Sequence, residues 1–204
     1  RGGLQRVLVQ AESLKSTLHR RLSTAIDMKF PMYLVPLDRL KRLYGGKEPR
    51  HDRLIAHQEL KRKDELVKWE NLPFDAHIIF LSHEWVGWSH PDPHGIQLKT
   101  FLYVMQRLYS GSISKVEMNA LHAIVYRTNY VVRTKKWKSI LSTAYVWIDW
   151  ASMPQPSACP PSVSQEEKDE MGMNLGKAVK SIPAYVFFFF VISMFSSQLL
   201  NSHK

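Results

Sequence analysis

The chain has 204 residues, of which 45% are hydrophobic and 23% are charged, and it carries a formal net charge of +10 at pH 7. This composition can bury enough apolar surface to offset chain entropy, so it excludes a wholly disordered chain and a collagen-like fibre. The single cysteine, Cys159, excludes an internal disulfide and indicates a reducing compartment, so we expect a cytoplasmic protein.

The positive charge is concentrated in the first third of the chain. Residues 1–70 hold 16 basic and 9 acidic side chains, net +7, whereas residues 71–204 hold 12 and 9, net +3. Such an excess could attract an acidic membrane, RNA or another anionic partner. No basic run alternates with aromatic residues that would stack on bases, so a solvated helical surface is the simpler interpretation and nucleic acid is not an expected partner.

Residues 1–72 contain two helical patterns and an irregular segment between them. Apolar residues recur at spacings of three and four over residues 4–26, which predicts an amphipathic helix whose basic side could contact a membrane. Three prolines and two glycines in residues 30–53 predict a linker with at most a short helix at Leu37–Tyr44. Residues 54–69 return to a helical pattern. We therefore predict a basic helical extension and linker over residues 1–72.

Three short apolar runs follow, and helical patterns separate them. His77–Leu81 and Ala144–Ile148 are rich in β-branched and aromatic residues, which is typical of strands buried on both faces. Helices are predicted over residues 96–109, 114–126 and 134–142, with a short strand near residue 131. A helix with an acidic first turn follows over residues 164–181, and Pro183 should end it. The third apolar run, residues 185–192, is too short to cross a bilayer, so we expect a buried strand.

This order of strands and helices predicts an α/β protein with a parallel sheet that is flanked by helices. Ligands of such sheets bind outside the carboxyl ends of the strands. The first strand ends in Ser82, His83 and Glu84, and the second ends in Asp149. We therefore expect these four residues to lie close together on one rim.

Residues 83–94 hold three histidines and two carboxylates, which could be interpreted as a metal site. However, the only cysteine is distant in sequence, and prolines hold residues 90–94 in an extended turn, so we predict no metal centre. Hydrogen bonds that order the loop are an alternative role for His83 and His90.

Tryptophans near the two strand ends offer flat walls for a base or a nicotinamide ring, with core packing as an equal alternative. These are Trp85, Trp88, Trp147 and Trp150. A glycine-rich phosphate loop of the GxGxxG or GxxxxGK[ST] type and a GxSxG serine-hydrolase turn are absent from the sequence. Cys159 has no adjacent base in sequence, so a nucleophilic role is not expected.

Three segments resemble motifs of a known superfamily. Ile79-Phe80-Leu81-Ser82-His83-Glu84-Trp85 resembles the opening strand of TIR-like domains and the "LSYxWG" opening of fungal heterokaryon-incompatibility (HET) domains. Residues 145–155, which contain Trp147-Ile148-Asp149, resemble the HET "vWIDxxCIxQ" strand and turn, with Ser152 at the cysteine position. The helix that begins near Glu166 is similar to a third HET stretch. The resemblance covers about residues 74–192.

The resemblance implies a flavodoxin-like parallel sheet, assembly-dependent signalling in immunity or cell death, and in some relatives cleavage of NAD at the nicotinamide glycosidic bond. It divides the chain into the extension over residues 1–72, a TIR/HET-like domain over residues 73–195 and a polar tail over residues 196–204. A glutamate-bearing "WCxxE"-like segment of TIR relatives is absent from the sequence. We therefore expect a C-terminally incomplete domain.

These observations define a set of candidate residues and two functional hypotheses. The predicted catalytic residues are Glu84, Asp149 and His83. The predicted ligand-binding residues are Ser82, Trp85, Trp88, His90, Asp92, Trp150 and Ser152. The first hypothesis is a signalling domain with a nucleotide-binding cleft, for which NAD is the candidate substrate or ligand. The second is a non-catalytic interaction module that associates with itself or with other signalling domains through sheet edges and helices.

Overall fold

The computed structural model describes residues 28–46, 49–73, 76–82, 84–117 and 131–201, and it describes side chains as far as residue 186. The predicted amphipathic helix over residues 4–26 lies outside the described residues. The same holds for His83 and for residues 118–126 of a predicted helix.

Strands and short helices alternate along the described chain. The strands are β1 (Tyr33–Pro36), β2 (Val67–Lys68), β3 (His77–Leu81), β4 (Lys115–Glu117), β5 (Val131–Arg133) and β6 (Ala144–Ile148). The helices are α1 (Leu37–Tyr44), α2 (His57–Arg62), α3 (Ile96–Ser110), α4 (Thr134–Ser142), α5 (Asp149–Ser152) and α6 (Gln165–Asn201). Short 3₁₀ turns occupy Trp69–Asn71 and Pro156–Ala158.

Four strands form a mixed sheet in the order β2-β1-β6-β3. β3 and β6 are parallel, with His77 opposite Ala144 and Leu81 opposite Ile148, so both strands end at the same edge. β1 is antiparallel to β6 and to β2. β4 and β5 form a separate antiparallel pair. The fold is therefore mixed α/β, with helices flanking a mixed sheet.

Successive residues of the strands pack into two separate apolar clusters because side chains alternate between the faces of a sheet. Val35 and Val146 belong to the cluster that also contains residues of α1, α3 and α4. Leu34 and Trp147 belong to the other cluster, which includes Tyr185 of α6. Both faces are covered, which explains why the strands are continuous apolar runs in the sequence.

The linker prediction for residues 30–53 is wrong over Tyr33–Pro36, which forms strand β1. β1 lies inside the sheet between β2 and β6, and Leu34 and Val35 are fully buried. The short helix at Leu37–Tyr44 is confirmed. A four-residue strand that ends at Pro36 is too short to show a periodic pattern, so the neighbouring prolines dominate the sequence signal. Strands from both sides of residue 73 share one sheet.

The predicted strand over residues 185–192 is also wrong, and Pro183 does not end the preceding helix. α6 continues through Pro183 to Asn201. Contacts with the chain before β1 anchor this helix on both sides of the proline. The Ser181 hydroxyl accepts hydrogen bonds from the backbone N–H groups of Lys29 and Phe30, and the Tyr185 hydroxyl donates to the Phe30 carbonyl at 2.7 Å. These contacts can offset the one helical hydrogen bond that a proline removes.

The helix predicted over residues 54–69 ends earlier, at Arg62. Asp64 adopts a left-handed conformation with φ 54°, and the Glu65 N–H donates to the Leu60 carbonyl at 2.9 Å, which is a Schellman-type cap. The chain then extends into β2. The predicted positions of β3, β6, α3 and α4 are confirmed. Lys115–Glu117 forms a strand where a helix was predicted to begin.

Candidate functional site

An apolar pocket of about 440 Å³ lies at the carboxyl ends of β3 and β6. The two strands contribute their last residues, and α3 contributes its first turns. The lining residues are Leu54, Leu81, Ser82, Pro91, Asp92, Ile96, Gln97, Leu98, Thr100, Phe101, Val104 and Ile148. This edge of a parallel strand pair is where α/β proteins usually bind ligands. We call this cavity the strand-end pocket.

A hydrogen bond joins the segments that follow the two strands. The indole N–H of Trp85, after β3, donates to Asp149 Oδ2, after β6, at 2.9 Å. The other carboxylate oxygen, Oδ1, accepts the backbone N–H of Trp150 at 2.6 Å. The Trp85 and Trp150 rings meet edge to face, with centroids 5.7 Å apart. The structure therefore brings these three predicted site residues together and fixes the Asp149 carboxylate in orientation.

His90 and Asp92 order the loop that closes one side of the pocket. The backbone N–H of Asp92 donates to His90 Nδ1 at 2.9 Å, so Nδ1 is an acceptor and the proton of the neutral ring is on Nε2. Nε2 then donates to the Leu54 carbonyl at 2.7 Å. Asp92 Oδ2 accepts the N–H of Leu98 in the first turn of α3, which is favourable at the positive end of the helix dipole. Both ring nitrogens of His90 thus hold the loop, and Asp92 also lines the pocket.

The remaining predicted residues occupy different environments. Ser82 lines the pocket and is exposed. Glu84 is exposed, and its backbone carbonyl accepts the side-chain amide of Gln97 at 2.9 Å, which places it beside the pocket rim. Trp88 is fully exposed and is not part of the lining. Ser152 is buried, and its hydroxyl accepts the N–H of Ile148 at 3.2 Å, so it closes the turn after β6 rather than facing a ligand.

Helix α2 supports the turn that carries Asp149, although sequence reasoning assigned α2 to an extension. His57 Nδ1 donates to the Ala151 carbonyl at 3.0 Å. The Gln58 amide donates to the Gln155 carbonyl at 2.8 Å and accepts the Gln155 N–H at 3.3 Å. The partners lie 94 and 97 residues apart in the chain, so no local pattern could have identified these contacts.

The environment of His57 fixes its charge state. Its side chain is buried, and its ring meets the Tyr33 ring edge to face at 5.0 Å. Burial lowers the pKa of His57 from 6.5 to about 4, the hydrogen bond to Ala151 opposes this shift, and the Lys61 charge adds to it. The imidazole is therefore neutral near pH 7.

Gly95 allows the loop before α3 to pack closely against residues 52–54. Its φ is +66°, a conformation that favours glycine, and a Cβ there would lie 2.0 Å from the Asp52 carbonyl oxygen. Leu54, which lines the pocket, follows directly. A residue without a side chain is therefore required at position 95.

No three histidine, cysteine or acidic side chains within the described ranges converge to form a metal site. No helix in the described part of the chain combines the length and apolar character that a membrane-spanning segment needs.

The site can hold an apolar or aromatic group in the strand-end pocket and can accept hydrogen bonds at the oriented Asp149 carboxylate. Comparisons with protein-family models, with curated proteins and with solved structures find no match to this chain.

Proposed function

We propose that the chain is a signalling domain of TIR/HET-like type that binds a nucleotide such as NAD in the strand-end pocket. The observation that carries the proposal is the position of this pocket, at the shared carboxyl edge of the parallel strands β3 and β6. A flavodoxin-like arrangement that includes this parallel pair is part of the proposal.

The lining of the pocket favours one end of such a ligand. Its walls are mainly aliphatic and aromatic, as at Leu81, Phe101 and Ile148, so they suit a flat uncharged ring such as nicotinamide or adenine. Asp92 already occupies the first turn of α3 with its carboxylate. The negative charge there disfavours a phosphate at that helix end, so we place the ring rather than the pyrophosphate in the pocket.

The polar groups at the rim suit a ribose. Asp149 follows Ile148 of the pocket wall, and its carboxylate can accept hydrogen bonds from ribose hydroxyls. In the enzymatic form of the proposal, Asp149 or Glu84 would stabilise positive charge on the ribose as the bond to nicotinamide breaks and water adds to the sugar carbon. His83 would act as an acid, a base or a hydrogen-bond donor to a phosphate.

Titration calorimetry of the full chain with NAD, ADP-ribose and nicotinamide tests this proposal. Thr100 lines the pocket from an exposed position on α3, so Thr100→Trp should fill the pocket without disturbing the core. We expect this variant to weaken NAD binding at least tenfold, which corresponds to about 1.4 kcal/mol. Gln106→Trp, an exposed position of the same helix outside the lining, should bind like the parent chain.

Two outcomes would contradict the proposal: no saturable binding of any of the three ligands, or equal losses in Thr100→Trp and Gln106→Trp. The enzymatic form is tested separately by chromatography of NAD after incubation with the protein. We expect Asp149→Asn to reduce release of nicotinamide. Binding without release by the parent chain would leave a ligand-binding module and refute the enzyme.

A self-associating interaction module is the second candidate, and the loop after β3 favours it. Trp85, Val86 and Trp88 are 46%, 68% and 103% exposed, and tryptophan is enriched at the centres of protein interfaces. We expect sedimentation of the full chain to show concentration-dependent oligomers that Trp88→Ser weakens. A chain that stays monomeric at high concentration would exclude this candidate.

A further inference from the structure

A second pocket, of about 530 Å³, lies beside strand β2 and shares no residue with the strand-end pocket. We call it the β2 pocket. Its lining mixes charged and polar residues with apolar ones and comes from β1, α1, α2 and β2 with the turns around them. The lining residues are Tyr33, Arg39, Lys61, Asp64, Leu66, Val67, Lys68 and Asn71.

Positive charge predominates in this lining. Three of its side chains are cations and one, Asp64, is a carboxylate. Arg39 is partly neutralised, because its Nε lies 3.7 Å from Glu65 Oε2 outside the lining. Within the described ranges, neither Lys61 nor Lys68 has an ion pair with a carboxylate, so both ammonium charges are uncompensated there.

The two lysines converge on one aromatic ring. Lys61 Nζ lies 5.3 Å and Lys68 Nζ lies 5.9 Å from the centroid of Tyr33. This ring is almost fully buried and is held edge to face against His57, so it forms a fixed base for the pocket. The ring offsets part of the lysine repulsion through cation–π attraction. Because both lysines also line the β2 pocket, an anion bound in it would be attracted to both ammonium groups.

We propose that the β2 pocket binds the phosphate group of a small molecule. A phosphate dianion matches the two unpaired lysine charges, and lysine is a common point-charge partner of phosphate. The Asn71 amide, also in the lining, supplies further donors. This site is distinct from the proposed nucleotide site in position and in lining, and it does not depend on that function.

The test uses the full chain with inorganic phosphate as the probe. ³¹P line broadening and titration calorimetry measure its binding. Acetate and glycerol phosphate serve as further ligands. We expect saturable phosphate binding that is at least tenfold tighter than acetate binding and that weakens as sodium chloride is raised. Tighter binding of inorganic phosphate indicates the free ion as the ligand, and tighter binding of glycerol phosphate indicates a phosphomonoester. The proposal is supported whichever of the two phosphate compounds binds more tightly.

Methionine substitutions keep the apolar stem over Tyr33 and remove the charge. We expect Lys61→Met and Lys68→Met each to weaken phosphate binding at least fivefold, and the double variant to abolish it. Lys63→Met is the matched control, because Lys63 lies outside the lining and pairs with Glu59 at 2.8 Å. It should bind phosphate like the parent chain.

The lysines are exposed, and circular dichroism checks that the variants remain folded. Unchanged affinity in the folded double variant would overturn the proposal. An equal loss in Lys63→Met, or binding that does not saturate, would also overturn it, because general charge attraction would then explain the result. The Thr100→Trp variant should retain phosphate binding, which separates failure of this site from failure of the strand-end pocket.

Discussion

His57 shows how one buried side chain makes the stability of the fold depend on pH. In the folded chain its pKa is about 4, compared with an ordinary value of 6.5. The unfolded chain therefore binds a proton first as the pH falls. The stabilisation that neutral His57 contributes is fully present above about pH 6.5. It is lost progressively as the pH falls towards 4, and the largest loss is about 3 kcal/mol.

We predict that His57→Asn reduces this loss. Asparagine can still donate to the Ala151 carbonyl but does not titrate, so the variant should show a shallower fall in unfolding free energy between pH 6.5 and pH 4. Urea denaturation at several pH values measures how the free energy of unfolding changes with pH. His94→Asn is the control, because His94 is exposed. Identical pH slopes for His57→Asn and the parent chain would refute the prediction.

Gly95 is a residue at which added volume should be costly. We predict that Gly95→Ala destabilises the chain by at least about 2 kcal/mol, because the new Cβ would meet the Asp52 carbonyl and φ would be strained. In contrast, Gly172→Ala in helix α6 meets nothing within 4 Å and should stabilise by roughly 0.5–1 kcal/mol. Urea unfolding of both variants checks the opposite signs, and equal effects would contradict the prediction.

Helix α6 shows how tertiary contacts determine the length of an element. Its start follows the sequence, because Ser164 and Glu167 form a reciprocal capping box: each side chain accepts the other's backbone N–H, at 3.2 and 3.1 Å. On both sides of Pro183 it contacts residues 28–34. The apolar run at residues 185–192 suits a helix or a strand equally, so the sequence alone could not choose between them.

We predict that Ser181→Ala destabilises the chain by about 1–3 kcal/mol. Ser181 is fully buried, and its loss removes the acceptor for the backbone N–H groups of Lys29 and Phe30. Thermal and urea unfolding give the change in free energy. Ser142→Ala, at an exposed helix end, should stay within about 0.5 kcal/mol of the parent chain. Similar changes in unfolding free energy for the two variants would show that the hydrogen bonds of Ser181 to Lys29 and Phe30 do not stabilise the fold.

At the scale of the whole molecule, the strand order makes residues before position 73 part of the core. β1 separates β2 from β6, and α2 supports the turn that carries Asp149. The sheet therefore cannot be assembled from residues 73–195 alone. The segment that carries most of the positive charge also contributes to the support of the candidate site.

We predict that a fragment of residues 73–204 does not fold cooperatively, because it lacks β1, β2 and α2. In the full chain, Leu34→Ala should cost about 2–5 kcal/mol, since Leu34 is fully buried in the sheet. Val116→Ala on exposed β4 should cost much less. Circular dichroism and urea unfolding measure the stability of the fragment and of both variants. A sharp two-state transition of the fragment would contradict the predicted role of β1.

The sequence predicted the parallel pair and its rim because their signals are local. His77–Leu81 and Ala144–Ile148 are apolar runs that end in polar residues, and the structure pairs them in parallel and joins Trp85 to Asp149. Other parts of the site could not be predicted. His90 is hydrogen-bonded to Leu54, which lies 36 positions away in the chain, and Gln58 is hydrogen-bonded to Gln155, which lies 97 positions away. The pocket walls come from α3 and Leu54 as well as from the strands.

The sequence by itself therefore determined where β3, β6, α3, α4 and α6 begin and which residues end the parallel strands. Hydrophobic periodicity and helix caps act over a few residues, so they can be recognised in one chain. Only the tertiary structure decided that β1 lies inside the sheet, that α6 passes Pro183, and that Lys61 and Lys68 converge on Tyr33. These features depend on burial and hydrogen bonds between distant segments, which exist only after the chain has folded.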